Sequence, residues 1–423
     1  MLKNVLKSQR ILLERAGRVS KVVERERSIP RTRLVKVITG IRRCGKSFFT
    51  YLYLSGKNFA YVNFDDERLI GYNPEEILKA LIELYADFRI IFLDEIQNLE
   101  AWELFVNRLY REGFDVFVTG SSAKLLSKEL ATHLTGRSIT IELFPFSFRE
   151  FLKAMEFRIE MDRDIARVKR YLEEYIEVGG FPEVVVEKED PVVYLTELYN
   201  RTITKDIVLR YNIKYRKTIR DIADYLLSNI SNYVTYTSIK KYFNLGSEHT
   251  AKNYLNYLEE AYLFMFLDVF SFKAREIKKS PKKIYVIDTG FFNILGFRFS
   301  ENMGRLLENL VAIELLRRKS YFNPNLEIFY LQTKEGYEVD FLIKENLRIK
   351  QLIQVTYAND FDEIDKREIR ALLHTNELFK QDKPELIIIT WDYEDEKELS
   401  WFGKKGKIKF IPLWKWVLNF KSL

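Results

Sequence analysis

Apolar positions along this chain change their spacing several times, and each change marks an element. The first 30 residues repeat their apolar positions as a helix does and run into the polar, basic stretch 28–33. From Leu34 the spacing shortens. Apolar runs at 34–39, 59–64, 89–95, 115–120 and 138–143, each bounded by turn-forming or charged residues, predict β-strands. The stretches between them predict helices. Strands alternating with helices argue for an α/β fold with a parallel sheet covered on both faces. The run 144–152 closes this block.

Residues 163–178 predict an amphipathic helix, stopped at Gly179-Gly180-Phe181-Pro182. More helices follow to about 262, then a strand pair at 264–270 and 283–290 around a Lys-rich connection. After 296–304 a new unit starts: a helix over 303–319, strands at 326–331, 338–343 and 351–357, a helix over 361–380, and strands near 385–391 and 407–412. No internal repeat or low-complexity tract interrupts this order.

The length of 423 residues allows two to four domains at roughly 100–200 residues each. An apolar share of 47% and a charged share of 30% describe a globular chain with several cores. The single Cys excludes a disulfide framework and a Cys-based zinc finger. Three His residues, scattered at 133, 249 and 374, argue against a histidine metal cluster. No apolar run approaches the ~18 residues that cross a bilayer, and the first residues are too charged for a secretory core. The expectation is a soluble, cytoplasmic protein without a membrane partner. Charge is local: residues 201–290 carry 16 Lys and Arg against 9 Asp and Glu, an excess equal to the net +7 of the whole chain. Such a segment suits a polyanion such as nucleic acid, and equally a solvated lysine face.

Candidate chemistry starts at Gly40-Ile41-Arg42-Arg43-Cys44-Gly45-Lys46-Ser47, which fits G-x-x-x-x-G-K-[ST] at every required position between a predicted strand and a helix predicted over 47–54, and these residues with Phe48 are the candidate nucleotide-binding set. Glycines let the backbone close around phosphates, whose charge meets amide groups and a helix N-terminus. Lys46 adds positive charge to the same oxygens. Ser47 offers a hydroxyl to Mg²⁺, which keeps waters and substrate phosphates in its shell. The pattern predicts binding of ATP or ADP with Mg²⁺. A second motif, Ile90-Ile91-Phe92-Leu93-Asp94-Glu95, is an apolar strand ending in two acids. Asp94 is the expected metal partner and Glu95 the candidate base that polarises the attacking water. Asn63, Asp65 and Asp66 end or follow the intervening strand. Asp65 or Asp66 is a candidate for placing metal or water, and equally a helix cap. At the tip of the next strand, Ser121 is the first choice and Ser122 the second for a side chain between the two motifs that senses the γ-phosphate. A cap on the helix predicted at 123–130 is compatible with that role. Arg137 opens the last strand and is a candidate arginine finger, in cis or on a neighbouring subunit.

These strings, in the order GIRRCGKS, YVNFDDERL, IIFLDEIQN, VTGSSAKLL, LTGRSITIELFPFSFREFL and GGFPEVV, resemble the AAA+ ATPases of an archaeal and bacterial group. The resemblance implies a five-stranded P-loop core with a helical lid. It also implies active sites often completed between subunits, hence a homo-oligomer such as a hexameric ring. It leaves the biological substrate open between DNA-handling machines and nucleotide-gated switches. GGFPEVV holds no arginine that would sense the nucleotide; Arg201 and Arg210 come later.

The middle of the chain predicts helices at 218–228, 237–243 and 247–260. Ala251, Leu255 and Leu258 share one face, and His249, Lys252, Asn253 and Asn256 point away from it. With the basic connection that includes Lys278, Lys279, Lys282 and Lys283, this resembles a winged helix-turn-helix whose third helix and wing meet DNA. The last unit resembles the PD-(D/E)XK nuclease core, with Glu308 on the helix and Asp340 on a strand. Gln354 stands where that family has a second acid and Thr356 where it has a lysine, so the expectation is a nuclease-like scaffold that does not cut. The predicted partition is a core with its N-terminal helix over 1–150, a lid over 151–200, a winged helix over 201–297 and an α/β nuclease-like domain over 298–423.

Overall fold

The computed structural model describes residues 1–19, 21–121, 136–158, 164–296 and 303–419. The first unit is built on five strands: β1 (Val35–Thr39), β2 (Phe59–Asn63), β3 (Ile90–Asp94), β4 (Asp115–Gly120) and β5 (Ser138–Glu142). They lie in the order β2-β3-β4-β1-β5, and every pairing is parallel. Near-continuous apolar sequence fits strands buried on both faces: β1 has no exposed residue, and even Lys36 is buried, pairing with Asp115 at the start of β4. Because β4 sits between β1 and β3, the carboxyl ends of the two motif strands flank its tip. Open parallel sheets bind ligands at that edge.

The N-terminal helix ends earlier than its pattern predicts. It spans Leu2–Val19, and residues 21–34 hold no helix or strand of more than one residue. Tertiary bonds outweigh local propensity there. Arg25 Nε donates to Glu150 Oε1 at 3.0 Å, and the Glu26 amide donates to the same oxygen at 2.6 Å.

After the helix Phe148–Ala154 come Ile165–Val178, Pro182–Val185 and Pro191–Arg201, the last running into a π-helix over Thr202–Leu209. The middle unit then packs the helices Arg216–Ser228, Tyr236–Tyr242 and Glu248–Glu260 against a small antiparallel sheet. That sheet comprises β6 (Tyr233–Val234), β7 (Phe264–Leu267) and β8 (Lys282–Val286), in the order β6-β8-β7. A two-residue strand such as β6 leaves no periodicity to read. Ala251, Leu255 and Leu258 are buried as their spacing implies.

The last unit starts with the helix Met303–Tyr321 and carries β9 (Leu326–Gln332), β10 (Glu338–Glu345), β11 (Arg348–Val355), β12 (Glu385–Thr390), β13 (Asp395–Trp401) and β14 (Lys404–Pro412). Its mixed sheet runs β13-β14-β12-β11-β10-β9, with the helix Lys366–Leu378 connecting β11 to β12 and the helix Leu413–Leu418 following β14. The sequence pattern does not reveal β13 because this edge strand is mostly charged and has no fully buried residue. One apolar core runs from the first sheet through the middle unit to the helices Met303–Tyr321 and Leu413–Leu418. Buried charge accompanies it. Glu314 accepts from Arg149 at 2.8 Å, Arg317 at 2.6 Å and Arg318 at 3.0 Å, and Arg149 also donates to Glu26. Burial alone would raise the Glu314 carboxyl, but the three guanidiniums hold it down at about 2. Among the described residues no helix is long and apolar enough to cross a membrane.

Candidate nucleotide site

The loop 40–47 leaves the carboxyl end of β1 and turns into the helix Lys46–Leu54. Two of its positions require glycine. A Cβ on Gly40 would stand 2.1 Å from the Leu143 carbonyl oxygen, and Gly45 has φ +94°. Lys46 is 4% exposed; its Nζ donates to the carbonyls of Gly40 at 3.1 Å and Ile41 at 3.0 Å, and lies 4.0 Å from Glu95 Oε1. The loop's own carbonyls thus hold an ammonium that phosphate oxygens would attract more strongly.

Opposite, β3 delivers Asp94 and Glu95. Ser47 Oγ donates to Asp94 Oδ1 at 2.8 Å, Tyr61 Oη donates to Asp94 Oδ2 at 3.0 Å, and Thr119 Oγ1 also donates to Asp94. Burial, reinforced by the neighbouring Glu95 charge, raises the Asp94 carboxyl to about 6. A carboxylate and a hydroxyl 2.8 Å apart beside a lysine form an oxygen donor set suited to Mg²⁺, so the residues present fit that ion. Glu95 sits in left-handed backbone (φ 49°); its amide donates to Thr119 Oγ1 at 3.0 Å, and Gln97 Nε2 donates to its Oε2 at 2.6 Å.

These groups line a cavity of about 380 Å³. Arg42, Arg43, Gly45, Lys46, Ser47, Phe48, Asp94 and Glu95 all border it, as do Asn63 and Asp65. Gly40, Ile41 and Cys44 are buried beneath the loop; the Cys44 thiol, pushed up by burial, donates to the Leu143 carbonyl at 3.3 Å. Of the two acids after β2, Asp65 faces the cavity, whereas Asp66 accepts the Arg68 amide and caps a turn. More of the wall comes from Ala16, Lys21, Val23 and Arg25 before β1, which no motif marks, and from Pro182, Glu183 and Val186 in and just after GGFPEVV.

Two sequence-selected groups lie elsewhere. Ser121 turns from the acids and donates to Asp206 Oδ1 at 3.1 Å; Thr119, beside Asp94 on the neighbouring strand, makes the contact expected of a β4 tip residue. Ser122 and the helix predicted at 123–130 lie outside the described residues. Arg137 stands at the amino end of β5, the sheet edge opposite the loop, and donates to Asn107 Oδ1 at 3.1 Å. It does not border the cavity of its own chain.

On the middle unit, His249, Lys252, Lys278 and Lys279 are placed with Asn253 and Asn256 on the outward side: Lys252, Lys278 and Lys279 reach solvent, and Asn253 and Asn256 are half-buried. Lys282 pairs with Asp268. Lys283 corrects the sequence reading: it is 1% exposed and faces inward, with Nζ at 3.0 Å from Glu308 Oε1, 3.0 Å from Asp340 Oδ1 and 2.7 Å from Glu338 Oε1. Despite burial, Asp340 and Glu308 hold its ammonium well above the usual lysine range. Tyr285, two residues on along β8, donates to Glu308 Oε1 at 2.8 Å. The Gln354 amide is spent on β10, accepting from the Asp340 amide at 2.7 Å and donating to the Glu338 carbonyl at 3.0 Å. Lys283 thus brings these acids an ammonium from another unit, which the spacing within β10 and β11 does not reveal.

A phosphate loop on β1 and an acid pair on β3 of a β2-β3-β4-β1-β5 parallel sheet define a P-loop ATPase core. A family model described as an AAA domain matches residues 32–152, and models described as domains of unknown function match 169–302 and 303–415. An uncharacterized protein of Methanocaldococcus jannaschii is 39% identical over 406 residues, covering 91% of this chain and 88% of its own. An uncharacterized protein of Haemophilus influenzae is 30% identical over 388 residues, covering 87% and 92%. The Walker-type ATPase of Pyrococcus abyssi is similar in structure with a TM-score of 0.41 and 14% identity, over 62% of this chain and 90% of that one. The chain belongs to the family of these archaeal and bacterial relatives and carries an AAA domain in its first part.

Proposed function

We propose that this protein binds ATP with Mg²⁺, hydrolyses it, and couples turnover to contact with DNA. The observation that carries the reading is the cavity at residues 40–47, where Lys46, Ser47, Asp94 and Glu95 converge. Ser47 and Asp94 would hold the metal, which supplies charge neutralisation at the β- and γ-phosphates. Lys46 leaves the Gly40 and Ile41 carbonyls for phosphate oxygens. Glu95 orients the attacking water and takes its proton. Arg137, remote from its own cavity, fits a role in a neighbouring subunit's site, within a homo-oligomer of ring type.

The partition into a core over 1–150, a lid over 151–200, a winged helix over 201–297 and a nuclease-like domain over 298–423 is part of this proposal. Three helices and a three-stranded antiparallel sheet support the winged-helix reading. His249, Lys252, Lys278 and Lys279, with Asn253 and Asn256 beside them, are its DNA-facing groups. Lys282 contributes less because of Asp268, and Lys283 is withdrawn from the interface. The last unit is read as a scaffold that does not cut, since Lys283 fills its acid cluster and Gln354 is occupied.

Phosphate release measured without DNA and with single-stranded, duplex and branched DNA, at two salt concentrations, tests the reading. The expected result is a DNA-stimulated rate that falls with salt. Slow, DNA-insensitive turnover with co-purified ADP would instead support a nucleotide-gated switch. Mg²⁺-dependent cleavage of the same DNAs would overturn the non-cutting scaffold.

A further inference from the structure

If Arg137 serves a neighbour, the question is which guanidinium serves the γ-phosphate in the chain's own cavity. Three arginines among the described residues line it: Arg25, Arg42 and Arg43. Arg25 is consumed, donating to Glu150 Oε1 and to the carbonyls of Cys44 and Phe144 with a side chain 5% exposed. Arg43 points outward, half exposed, to Glu183 at 2.9 Å. Arg42 differs from both. Its side chain, 15% exposed, lies over the acid side of the cavity, with Nη1 3.8 Å from Asp65 Oδ2.

Arg42 is held by a carboxylate from far along the chain. Its Nε donates to Asp206 Oδ2 at 3.0 Å and its Nη2 to Asp206 Oδ1 at 3.2 Å, the two-point geometry that fixes a guanidinium plane. Asp206 is 4% exposed and takes a third bond, from Ser121 Oγ. It rides on the π-helix Thr202–Leu209, a form common at functional sites. The same stretch leads into the middle unit, whose Tyr262 Oη donates to Thr39 Oγ1 at 2.8 Å, one residue before the loop.

We propose that Arg42 is the catalytic arginine that contacts the transferring γ-phosphoryl group in its own chain, and that Asp206, supported by Ser121, is the residue that positions it. The inference rests on the ATPase reading. In the step it serves, the water oxygen bonds to the γ-phosphorus, and its proton passes to Glu95. The bond from that phosphorus to the β–γ bridging oxygen breaks, and its electron pair stays on ADP. Arg42 balances charge that builds on the γ-phosphoryl oxygens and the bridge.

The test uses the full chain and its Arg42→Ala, Arg42→Lys and Asp206→Asn variants. Phosphate release gives kcat and KM, fluorescent ADP gives ground-state affinity, and trapping of ADP with Mg²⁺ and fluoroaluminate reports transition-state contact without turnover. Arg42→Ala is expected to lower kcat by roughly 10²–10³-fold, keep ADP affinity within about threefold and abolish trapping. Arg42→Lys should not rescue it, since an ammonium lacks the two-point fork. Asp206→Asn should lower kcat by about tenfold, with KM little changed and trapping weakened. Arg42→Ala that keeps full trapping, or that loses ADP binding along with it, overturns the proposal. A wild type that binds ADP but never hydrolyses ATP overturns the ATPase reading, and trapping still decides Arg42.

Discussion

Among the described residues three lysines are buried beside carboxylates, and two of them, Lys46 and Lys283, differ in what holds them. Lys46 leans on two backbone carbonyls, keeps Glu95 at 4.0 Å and opens onto a cavity. Lys283 is gripped by Glu308, Glu338 and Asp340, and Tyr285 completes the cluster. Carbonyls are neutral acceptors that an ammonium gives up readily for phosphate. Carboxylates in a dry interior are not surrendered, because separating the pair leaves bare charge. The first arrangement suits a ligand that comes and goes, and the second suits a joint between the middle and last units.

Removing each ammonium breaks that contrast most directly. Lys46→Ala should abolish ATP binding in calorimetry while leaving the melting temperature of the nucleotide-free protein nearly unchanged, since the ammonium is bonded there to neutral carbonyls. Glu95→Gln should keep ATP binding and lower phosphate release by roughly 10²–10⁴-fold; full turnover in that variant would remove Glu95 from the mechanism. Lys283→Met should leave nucleotide affinity intact yet destabilise the chain by about 3–5 kcal/mol in urea unfolding. Adding Glu308→Gln, which removes one stranded charge, should recover part of that stability. Equal stability of Lys283→Met and wild type would mean the cluster is not a joint.

Acidity sharpens the same comparison. The Asp94 carboxyl, raised to about 6, favours its protonated form in the fold, so its contribution to stability is present at low pH and lost as pH rises through about 6. Without nucleotide, Asp94→Asn should be more stable than wild type by about 3 kcal/mol at pH 8. The gap should close by pH 4, and a pH-independent gap would contradict the assignment. Mg²⁺–ATP affinity of the wild type should weaken below pH 6, as the metal competes with that proton. The smallest effect belongs to the middle unit. Alanine at Lys252, Lys278 and Lys279 should flatten the salt dependence of DNA affinity, measured by fluorescence anisotropy, by about 0.9 in log–log slope for each phosphate no longer neutralised.

Sequence order revealed the loop and the acid pair because both are contiguous and sit where a strand ends. It did not reveal Thr119 as the partner of Asp94, since that contact depends on the register between β3 and β4. Asp206 lies 164 residues from Arg42, and nothing in the mixed stretch 202–209, where it follows Lys205, marks it as a partner. Lys283 looked like its exposed neighbours Lys278 and Lys279 because composition does not say which way a strand residue faces. Its alternation with Tyr285 along β8 placed the two on one face, but the acids they meet belong to another unit.

The Glu314 cluster has a consequence for how this protein can be taken apart. Arg149 reaches from the first unit to Glu314 and to the Val417 carbonyl near the far end of the chain, and Arg318 donates to the Trp416 carbonyl at 2.8 Å. A fragment ending before Met303 would leave Arg149 and Glu26 facing solvent where they now sit dry, and would bare the apolar wall they border. The nucleotide-binding portion is therefore not a detachable cassette: expressed alone it should be sticky and protease-sensitive.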